Sequence, residues 1–253
     1  MGNVIMDDGI IDIHSHIVYG IDDGAEGYEQ SLRLIGMEYE QGVRGIFCTS
    51  HSYGMVDHHE EYHRNFVKIK NAAQAIYSDL SLYEGCEVLC AKHNMSETMQ
   101  RIEKGIFPTM NGTKYVLAEF DPYATAGMEE MRCCLEYILD HGYIPIIAHA
   151  ERYRVIYDDP MHDVMRMKER GCLVQINLFS VEQDTGWRKE LANEFLEHQL
   201  VDLAGTDTHN LYYKSPKVSA GATALQQYGA KYANKVLYGN AMKLIRSKEQ
   251  ALG

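Results

Sequence analysis

The segment IIDIHSHI, residues Ile10–Ile17, places two histidines two positions apart at the end of an apolar run. Side chains two positions apart lie on the same side of a β-strand, so His14 and His16 can bind one metal ion together. The isoleucines before them are typical of a strand buried on both faces, as in parallel sheets. The segment therefore predicts a buried strand that carries histidines to its carboxyl end.

Six similar apolar runs follow, with amphipathic stretches between them. The seven candidate strands are Ile10–His14, Val43–Cys48, Leu80–Leu89, Tyr115–Phe120, Tyr143–Ala148, Cys172–Leu178 and Leu200–Gly205. The candidate helices are Tyr28–Gln41, His59–Ser78, Glu97–Lys104, Gly127–His141, Pro160–Arg170, Arg188–His198, Ala220–Tyr228 and Asn240–Lys248. This alternation indicates an α/β protein with a parallel sheet that is closed or doubly wound. Seven units in 253 residues suit a (β/α)7 barrel, and we expect a single domain over residues 1–253.

Polar residues gather at the ends of these strands. Six of the seven predicted strands deliver a His, Asp or Glu at or near the carboxyl end, which is the functional face of a parallel barrel. A His-x-His pair alone is more often incidental, so the convergence of several strands on one face is the stronger signal. The converging residues are His14, His16, His51, Glu87, Glu119, His149, Asp207 and His209.

This set predicts a metal centre. A buried unpaired carboxylate is costly, so Glu87 and Glu119 need a cation beside them. About four protein ligands hold each metal ion, so the eight or nine candidate ligands indicate two or three ions. Mixed imidazole and carboxylate ligands suit zinc, manganese or iron. Clustered divalent ions bind phosphate oxygens and activate water, which favours a phosphoesterase.

Composition argues against several other classes of protein. The formal net charge of −12 disfavours binding to nucleic acid or to an anionic membrane. We find no apolar stretch of 18 residues and no signal peptide at Met1–Asp8, so we expect no membrane insertion. The six cysteines lack a framework spacing, which favours reduced thiols and a cytoplasmic protein. No cysteine precedes an arginine by six positions, so a thiol nucleophile is disfavoured.

The strand-end motifs resemble those of a known superfamily. The motifs are DIHSH (Asp12–His16), IDDG (Ile21–Gly24), TSH (Thr49–His51), GCE (Gly85–Glu87), AEF (Ala118–Phe120), IAHAERY (Ile147–Tyr153) and GTDTHN (Gly205–Asn210). Together they resemble the PHP superfamily, named for polymerase and histidinol phosphatase. Within it the chain resembles the manganese-dependent protein tyrosine phosphatases encoded with bacterial capsule and exopolysaccharide genes. The resemblance runs from Ile10 to Lys243.

The resemblance implies a distorted (β/α)7 TIM-like barrel, the PHP fold, with three divalent metal ions. Manganese is the favoured ion, and iron and zinc are the alternatives. The first ion would be held by His14, His16, Glu87 and Asp207. The second would share Glu87 and add Glu119 and His149. The third would be held by Asp23, His51 and His209, with Asp22 as the alternative to Asp23.

The resemblance also suggests residues that bind the phosphate. Arg152 matches a family arginine that holds phosphate, and Lys214 stands where the family has a second arginine. Lysine supplies charge but not a bidentate fork, so the role of Lys214 stays open. Tyrosines at the rim either stack on a phosphotyrosine ring or are ordinary half-buried residues. They are Tyr19, Tyr53, Tyr123, Tyr153, Tyr157, Tyr212 and Tyr213, and we select Tyr53 as a substrate-binding residue.

We expect the chain to hydrolyse phosphotyrosine by means of a metal-activated hydroxide. The implied partner is the phosphotyrosine tail of a capsule or exopolysaccharide tyrosine kinase, and the oligomeric state stays open. Arg152 would hold a phosphoryl oxygen, and His209 or a water molecule would supply a proton. The first alternative is a small-molecule phosphomonoesterase such as histidinol-phosphate phosphatase. A PHP nuclease and a non-enzymatic metal-binding scaffold are less favoured.

Overall fold

Eight parallel strands carry the fold of the computed structural model, which describes residues 9–121, 127–157, 159–182 and 185–251. The strands are β1 (Ile10–Ser15), β2 (Val43–Cys48), β3 (Ser81–Glu84), β4 (Glu87–Leu89), β5 (Tyr115–Glu119), β6 (Ile144–Ile147), β7 (Leu173–Asn177) and β8 (Leu203–Gly205). They form one sheet in the order β1-β2-β3 and another in the order β4-β5-β6-β7-β8. The prediction of an α/β chain with parallel strands is confirmed.

The predicted third strand, Leu80–Leu89, is in fact two strands that belong to different sheets. The break falls at Gly85-Cys86, where the amide of Gly85 donates to the carbonyl of Cys48 at 3.0 Å. A side chain at Gly85 would lie 3.0 Å from Thr49 Cγ2, so the backbone passes close to the end of β2. The buried Tyr62 hydroxyl donates to the carbonyls of Cys48 and Gly85 and holds the break in place. The prediction of seven strands was therefore one strand too few. The break was not predicted because it depends on tertiary contacts.

Strand pairing does not close the predicted barrel. Between the two sheets, the described residues show only isolated parallel bridges, Ser15 with Thr208 and His51 with Glu87. Next to the first bridge, the amide of His16 donates to the carbonyl of Thr208 at 2.7 Å. The first bridge joins the end of β1 to the loop after β8, and the second joins the loop after β2 to Glu87, the first residue of β4. Polar residues of the two sheets meet at these points.

Helices connect the strands, as the alternating pattern predicts. They are α1 (Tyr28–Glu40), α2 (Ser52–Ile76), α3 (Met95–Glu103), α4 (Met128–Asp140), α5 (Arg154–Tyr157), α6 (Pro160–Glu169), α7 (Leu178–Glu182), α8 (Trp187–Glu197), α9 (Val218–Leu225), α10 (Ala230–Asn234) and α11 (Asn240–Ala251). α2 begins seven residues before the predicted start and is kinked at His58. The short helices α5, α7 and α10 were not predicted. Within the described ranges, no helix is long and apolar enough to span a membrane.

Apolar side chains divide into two clusters around the strands. The larger cluster lies between the strands and the surrounding helices and includes Leu34, Ile69 and Phe195. The smaller one joins Ile13 of β1 to residues of other strands and to Leu244 of α11. Burial of each such side chain stabilises the fold by about 1.5–3 kcal/mol. This apolar packing holds the strands in register and so fixes where their polar ends meet.

Candidate metal centre

The structure brings together the nine residues predicted as metal ligands. They come from the ends of strands or the loops that follow: His14, His16 and Asp23 near β1, His51 after β2, Glu87 on β4, Glu119 on β5, His149 after β6, and Asp207 and His209 after β8. Six of the nine have side chains no more than 7% exposed. The exceptions are His51 at 11%, Glu119 at 14% and Asp23 at 63%. The cluster is therefore buried and opens to solvent beside Asp23.

Glu87 lies at the centre of this cluster. Its Oε2 atom is 3.2 Å from His14 Nε2, 3.1 Å from His16 Nε2 and 3.0 Å from His51 Nδ1. Its Oε1 atom lies 2.8 Å from His149 Nε2. Although three nitrogen atoms surround Oε2, it accepts no hydrogen bond from any described residue. A buried carboxylate oxygen with three imidazole nitrogens around it and no hydrogen bond of its own fits the binding of a cation.

Four groups of side chains each place their donor atoms within 4.8 Å of one another. The groups are His16, Asp23, His51 and His209; His14, Glu87 and His149; His14, His16 and Asp207; and His51, Glu87 and Glu119. Each of the nine predicted ligands belongs to at least one group. Because His14, His16, His51 and Glu87 each occur in two groups, the groups form one connected cluster suited to more than one ion.

The charges of the cluster also favour bound cations. Burial opposes a proton on His51, yet the carboxylates of Glu119 and Glu87 raise its pKa to about 11. Burial and His51 oppose protonation of His16, yet Asp22 and Glu87 raise its pKa to about 9. Burial would raise the pKa of Glu87, but His14 and its neighbours hold it well below the usual range. The carboxylates thus attract positive charge to the imidazoles, and divalent ions would supply that charge instead of protons.

The two adjacent aspartates of the IDDG motif do different things. The buried Asp22 accepts hydrogen bonds from His16 Nδ1 at 2.8 Å and from the amide of His51 at 2.7 Å. Asp23 Oδ1 instead lies 3.5 Å from His209 Nε2 and 3.6 Å from His51 Nε2. Asp22 therefore orients His16 and leaves its Nε2 free for a metal, as carboxylates behind ligand histidines commonly do. Asp23 is in position to be a ligand.

Two side-chain amides on β7, which were not predicted from the sequence, support the ligands. Gln175 Oε1 accepts a hydrogen bond from the amide of His149 at 2.6 Å and lies 3.3 Å from His14 Nδ1. Gln175 also donates to Asn177, and Asn177 Nδ2 donates to Asp207 Oδ2 at 3.1 Å. Both amides are buried. The signal available in the sequence was the pair of amides at alternate positions of an apolar strand. The strand was not selected as part of the site because no acid or histidine ends it.

Two candidate ligands have unusual backbone conformations. His149 has φ 31° and Asp207 has φ 55°, both in the left-handed region that residues other than glycine rarely adopt. Strain of this kind costs about 1–3 kcal/mol and is found where surrounding contacts enforce it, often at functional sites. Here the amide of Asp207 donates to the carbonyl of His14 at 2.8 Å. The conformation turns both side chains toward the cluster from the strand ends.

The two predicted phosphate-binding cations border the cluster. Arg152 Nη1 donates to Asp207 Oδ2 at 2.8 Å, and its side chain is 22% exposed. Lys214 Nζ lies 3.1 Å from His209 Nε2 and 3.9 Å from Asp207 Oδ2. Burial would raise the pKa of Asp207, but His14 and Lys214 hold it well below its usual range. Both cations therefore lie beside the candidate ligands, with room toward solvent.

Of the rim tyrosines that the structure describes, Tyr53 contacts the cluster where it opens to solvent. Its ring stacks on His51 at 4.8 Å between centroids, and its hydroxyl donates to Asp23 Oδ1 at 3.2 Å. Tyr153 is buried, whereas Tyr212 and Tyr213 are exposed. Tyr19 packs edge-on against Tyr28. Tyr123 lies outside the described residues, and so does the side chain of Tyr157.

Burial and the neighbouring His16 lower the pKa of His209 below its ordinary value. Its Nδ1 contacts the carbonyl of Asp207 at 2.8 Å. With Nδ1 donating its proton to that carbonyl, Nε2 is unprotonated and faces Asp23, where it can bind a metal ion. This arrangement suits a ligand better than a proton donor.

Comparisons with known proteins agree over nearly the whole chain. The family described as capsular polysaccharide synthesis, CpsB/CapC, matches residues 10–246. Tyrosine-protein phosphatase CpsB of Streptococcus pneumoniae is 33% identical over 245 residues, which cover 93% of this chain and 98% of the relative. Tyrosine-protein phosphatase YwqE of Bacillus subtilis is 27% identical over 94% of this chain and 92% of its own length.

Solved structures extend these similarities. One belongs to a study of YwqE from Bacillus subtilis and CpsB from Streptococcus pneumoniae, described as unique metal-dependent tyrosine phosphatases. It has a TM-score of 0.76 and 25% identity, and the match covers 94% of this chain and 95% of the other. The phosphotriesterase homology protein of Escherichia coli, solved with phosphate in its active site, is alike in fold, with a TM-score of 0.62 and 11% identity over 94% of this chain and 99% of the other.

Proposed function

Because the chain belongs to the CpsB/CapC family of capsular polysaccharide synthesis, we propose that it is a metal-dependent tyrosine phosphatase that acts on a protein substrate. The observation that carries this proposal is the buried carboxylate of Glu87, which four histidines surround in a cluster bordered by the partly exposed Arg152. A cluster of divalent ions next to an arginine fork suits a phosphate monoester better than an uncharged substrate.

The cluster would hold three divalent ions, with manganese favoured over iron or zinc. His14, His16 and Asp207 would hold one, with Glu87 shared; Glu119 and His149 would complete a second; Asp23, His51 and His209 would hold a third. Bound ions would neutralise phosphoryl oxygens and lower the pKa of a water molecule that attacks phosphorus. Asp22, Gln175 and Asn177 would keep the ligands aligned through their hydrogen bonds.

Arg152 would bind a phosphoryl oxygen. Its Nη1 atom is held by Asp207, so the guanidinium is fixed near the ligands before the substrate arrives, and its other N–H groups form no hydrogen bond with the part of the chain that the structure describes. Tyr53 would line the entrance, since its exposed ring lies over His51. A phenolate leaving group has a pKa of about 10, so its departure needs less help from an acid than that of an alkyl alcohol. Lys214 would add positive charge near the phosphate.

Three broader features belong to the same proposal. The two sheets would form one distorted barrel and a single domain, an arrangement supported by the parallel bridges between them. The physiological substrate would be the phosphotyrosine tail of a capsule tyrosine kinase, as the capsular role of the family suggests. The reaction would take place in the cytoplasm, which the six free cysteines support.

Parallel assays test this function. The manganese-loaded protein should hydrolyse a phosphotyrosine peptide with a higher kcat/KM than histidinol phosphate, and it should not cleave single-stranded DNA. A preference for histidinol phosphate would overturn the proposal in favour of the small-molecule alternative.

A matched pair of variants tests the role of the cluster. Glu87→Gln should lose bound metal and at least about 100-fold in activity, because it removes the charge shared by the groups. Glu84→Gln is the control, since Glu84 pairs with His63 on the surface and contacts no candidate ligand among the described residues. Equal activity of the two variants would contradict the central role of Glu87.

A further inference from the structure

A small cationic cavity adjoins the metal cluster and extends from Arg152 and Lys214 to Arg188, a residue to which the function proposed above gives no role. Its volume is about 160 Å³. Arg152, Asp207 and Lys214 line it where it meets the cluster, and Phe179, Arg188 and Tyr213 also line it. Three of these six side chains are cationic, in a chain whose net charge is −12. The cavity is therefore a local site for an anion on an otherwise acidic protein.

Arg188 differs from the other two cations. Arg152 and Lys214 both contact the candidate ligand Asp207. Arg188 is the second residue of α8, is half-buried, and has its guanidinium carbon 5.5 Å from the centre of the Trp187 ring. Within the described ranges it forms no ion pair with a candidate ligand. Its fork of N–H groups is thus available to a group that enters the cavity.

The chemistry of Arg188 indicates what can bind in the cavity. The planar guanidinium of arginine matches a carboxylate through two parallel hydrogen bonds. Phe179 and Tyr213 are both partly or largely exposed and supply apolar edges for the adjoining peptide.

We propose that Arg188 is a specificity-determining residue that binds the carboxylate of an acidic residue next to the phosphotyrosine. This inference rests on the proposed tyrosine phosphatase function. With the phosphate at Arg152 and the metal cluster, the neighbouring residue of the peptide enters the cavity and meets Arg188. The substrate is therefore an acidic phosphotyrosine segment, which the overall negative charge of the enzyme would otherwise repel.

Steady-state kinetics test this role. The substrates are phosphotyrosine peptides with a single glutamate directly before or directly after the phosphotyrosine, the matching glutamine peptides, and p-nitrophenyl phosphate. Wild-type enzyme should prefer one glutamate peptide over its glutamine partner. Arg188→Ala should raise KM for that peptide about tenfold with kcat unchanged, the effect of one charge-assisted pair. Its kinetics on the glutamine peptides and on p-nitrophenyl phosphate should match those of the wild type.

Two further variants separate a specific contact from a general charge effect. Arg188→Lys should recover only part of the preference, because lysine keeps the charge and loses the fork. Lys189→Ala removes the same charge at the next position, where the ammonium donates to the carbonyl of Glu182, and should leave the preference intact. The preference of the wild type should also weaken at high salt.

The outcomes separate this inference from the function on which it rests. If the wild type hydrolyses the peptides and Arg188→Ala changes the glutamate and glutamine peptides equally, the role of Arg188 is wrong and the phosphatase function stands. If the wild type does not prefer a glutamate peptide over its glutamine partner, the role of Arg188 is likewise wrong and the phosphatase function stands. If the wild type hydrolyses p-nitrophenyl phosphate but none of the peptides, the proposed function and this inference both fail.

Discussion

Gly24→Ala should damage the metal cluster without touching a ligand. The loop after β1 folds back so closely that the amide of Ala25 donates to the carbonyl of His16 at 3.0 Å. A Cβ atom at Gly24 would lie 2.1 Å from that carbonyl oxygen and 2.6 Å from the Cβ of His16. Ordinary non-bonded contacts are about 3.5 Å, so the loop must move by roughly 1 Å or more. Asp22 and Asp23 lie in this loop and must move with it.

The size of the effect follows from that displacement. Overpacking of this kind costs about 1–3 kcal/mol. In a chain of this size, each kcal/mol lowers the Tm by about 2–4 °C, so we expect a decrease of roughly 2–12 °C. A displacement of 1 Å in catalytic geometry costs up to about 100-fold in rate. The loss of phosphatase activity should therefore be larger than the loss of stability suggests, because the loop carries a candidate ligand.

The assay compares two alanine substitutions in the same loop. Thermal unfolding and manganese-dependent hydrolysis of a phosphotyrosine peptide are measured for Gly24→Ala and Gly27→Ala. A Cβ atom at Gly27 meets nothing within 4 Å, and its φ is −156°, so this control should keep its activity and lose at most about 1 kcal/mol at the start of α1. Wild-type activity and Tm for Gly24→Ala, or equal activity losses in both variants, would refute the close packing of this loop.

Three more outcomes follow from burial and charge. Burial and the neighbouring Asp12 raise the pKa of Glu38 well above its usual value, so the wild type should lose stability as the pH rises above about 4.5. A carboxyl group whose pKa is raised in the folded state stabilises the fold at low pH, and glutamine does not ionise. The free energy of unfolding of Glu38→Gln in urea should therefore increase relative to that of the wild type as the pH rises, by up to about 1.4 kcal/mol per pH unit. A difference that shrinks with rising pH would contradict this. Iodoacetamide should leave the activity of the folded protein intact, since five of the six cysteines are buried and only Cys133 is partly exposed; inactivation in proportion to alkylation, followed by mass spectrometry, would point to a thiol mechanism. Removal of divalent ions with a chelator should abolish activity and lower the Tm by roughly 5–11 °C, the loss of about 2.7 kcal/mol for ions present at 100 times Kd, and manganese should restore both; an unchanged Tm would argue against metal bound at the cluster.

Local patterns in the sequence predicted most of the secondary structure. The strand Val43–Cys48 has the predicted bounds, α4 and α8 differ from their predicted bounds by one residue at each end, and α1 differs by one residue at its end alone. These elements are marked by continuous apolar runs or by helical periodicity, which neighbouring residues determine. The start of α2 was missed because Ser52–His58 carries no clear apolar stripe. Its first turn is held instead by contacts with other elements, such as the hydrogen bond from the amide of Leu89 to Ser52 Oγ.

By itself, the sequence determined which side chains reach the carboxyl ends of the strands. His14, Glu119 and Asp207 could be selected because acids and histidines at the ends of apolar strands are rare without a partner. Successive side chains of a strand point to opposite faces, so the position of a residue along the strand determines its face, and this alternation is a local property.

Only the tertiary structure decided how those side chains are arranged and supported. It separated Asp22, which binds His16, from Asp23, which faces His51 and His209. It also placed Gln175 behind two ligands and Arg188 in the cavity that Arg152 and Lys214 line. These roles in supporting or lining the cluster come from contacts between segments that are far apart in the chain. This holds both for adjacent residues in one loop and for residues on distant strands and helices. Those contacts depend on packing in three dimensions, which no local pattern of residues encodes.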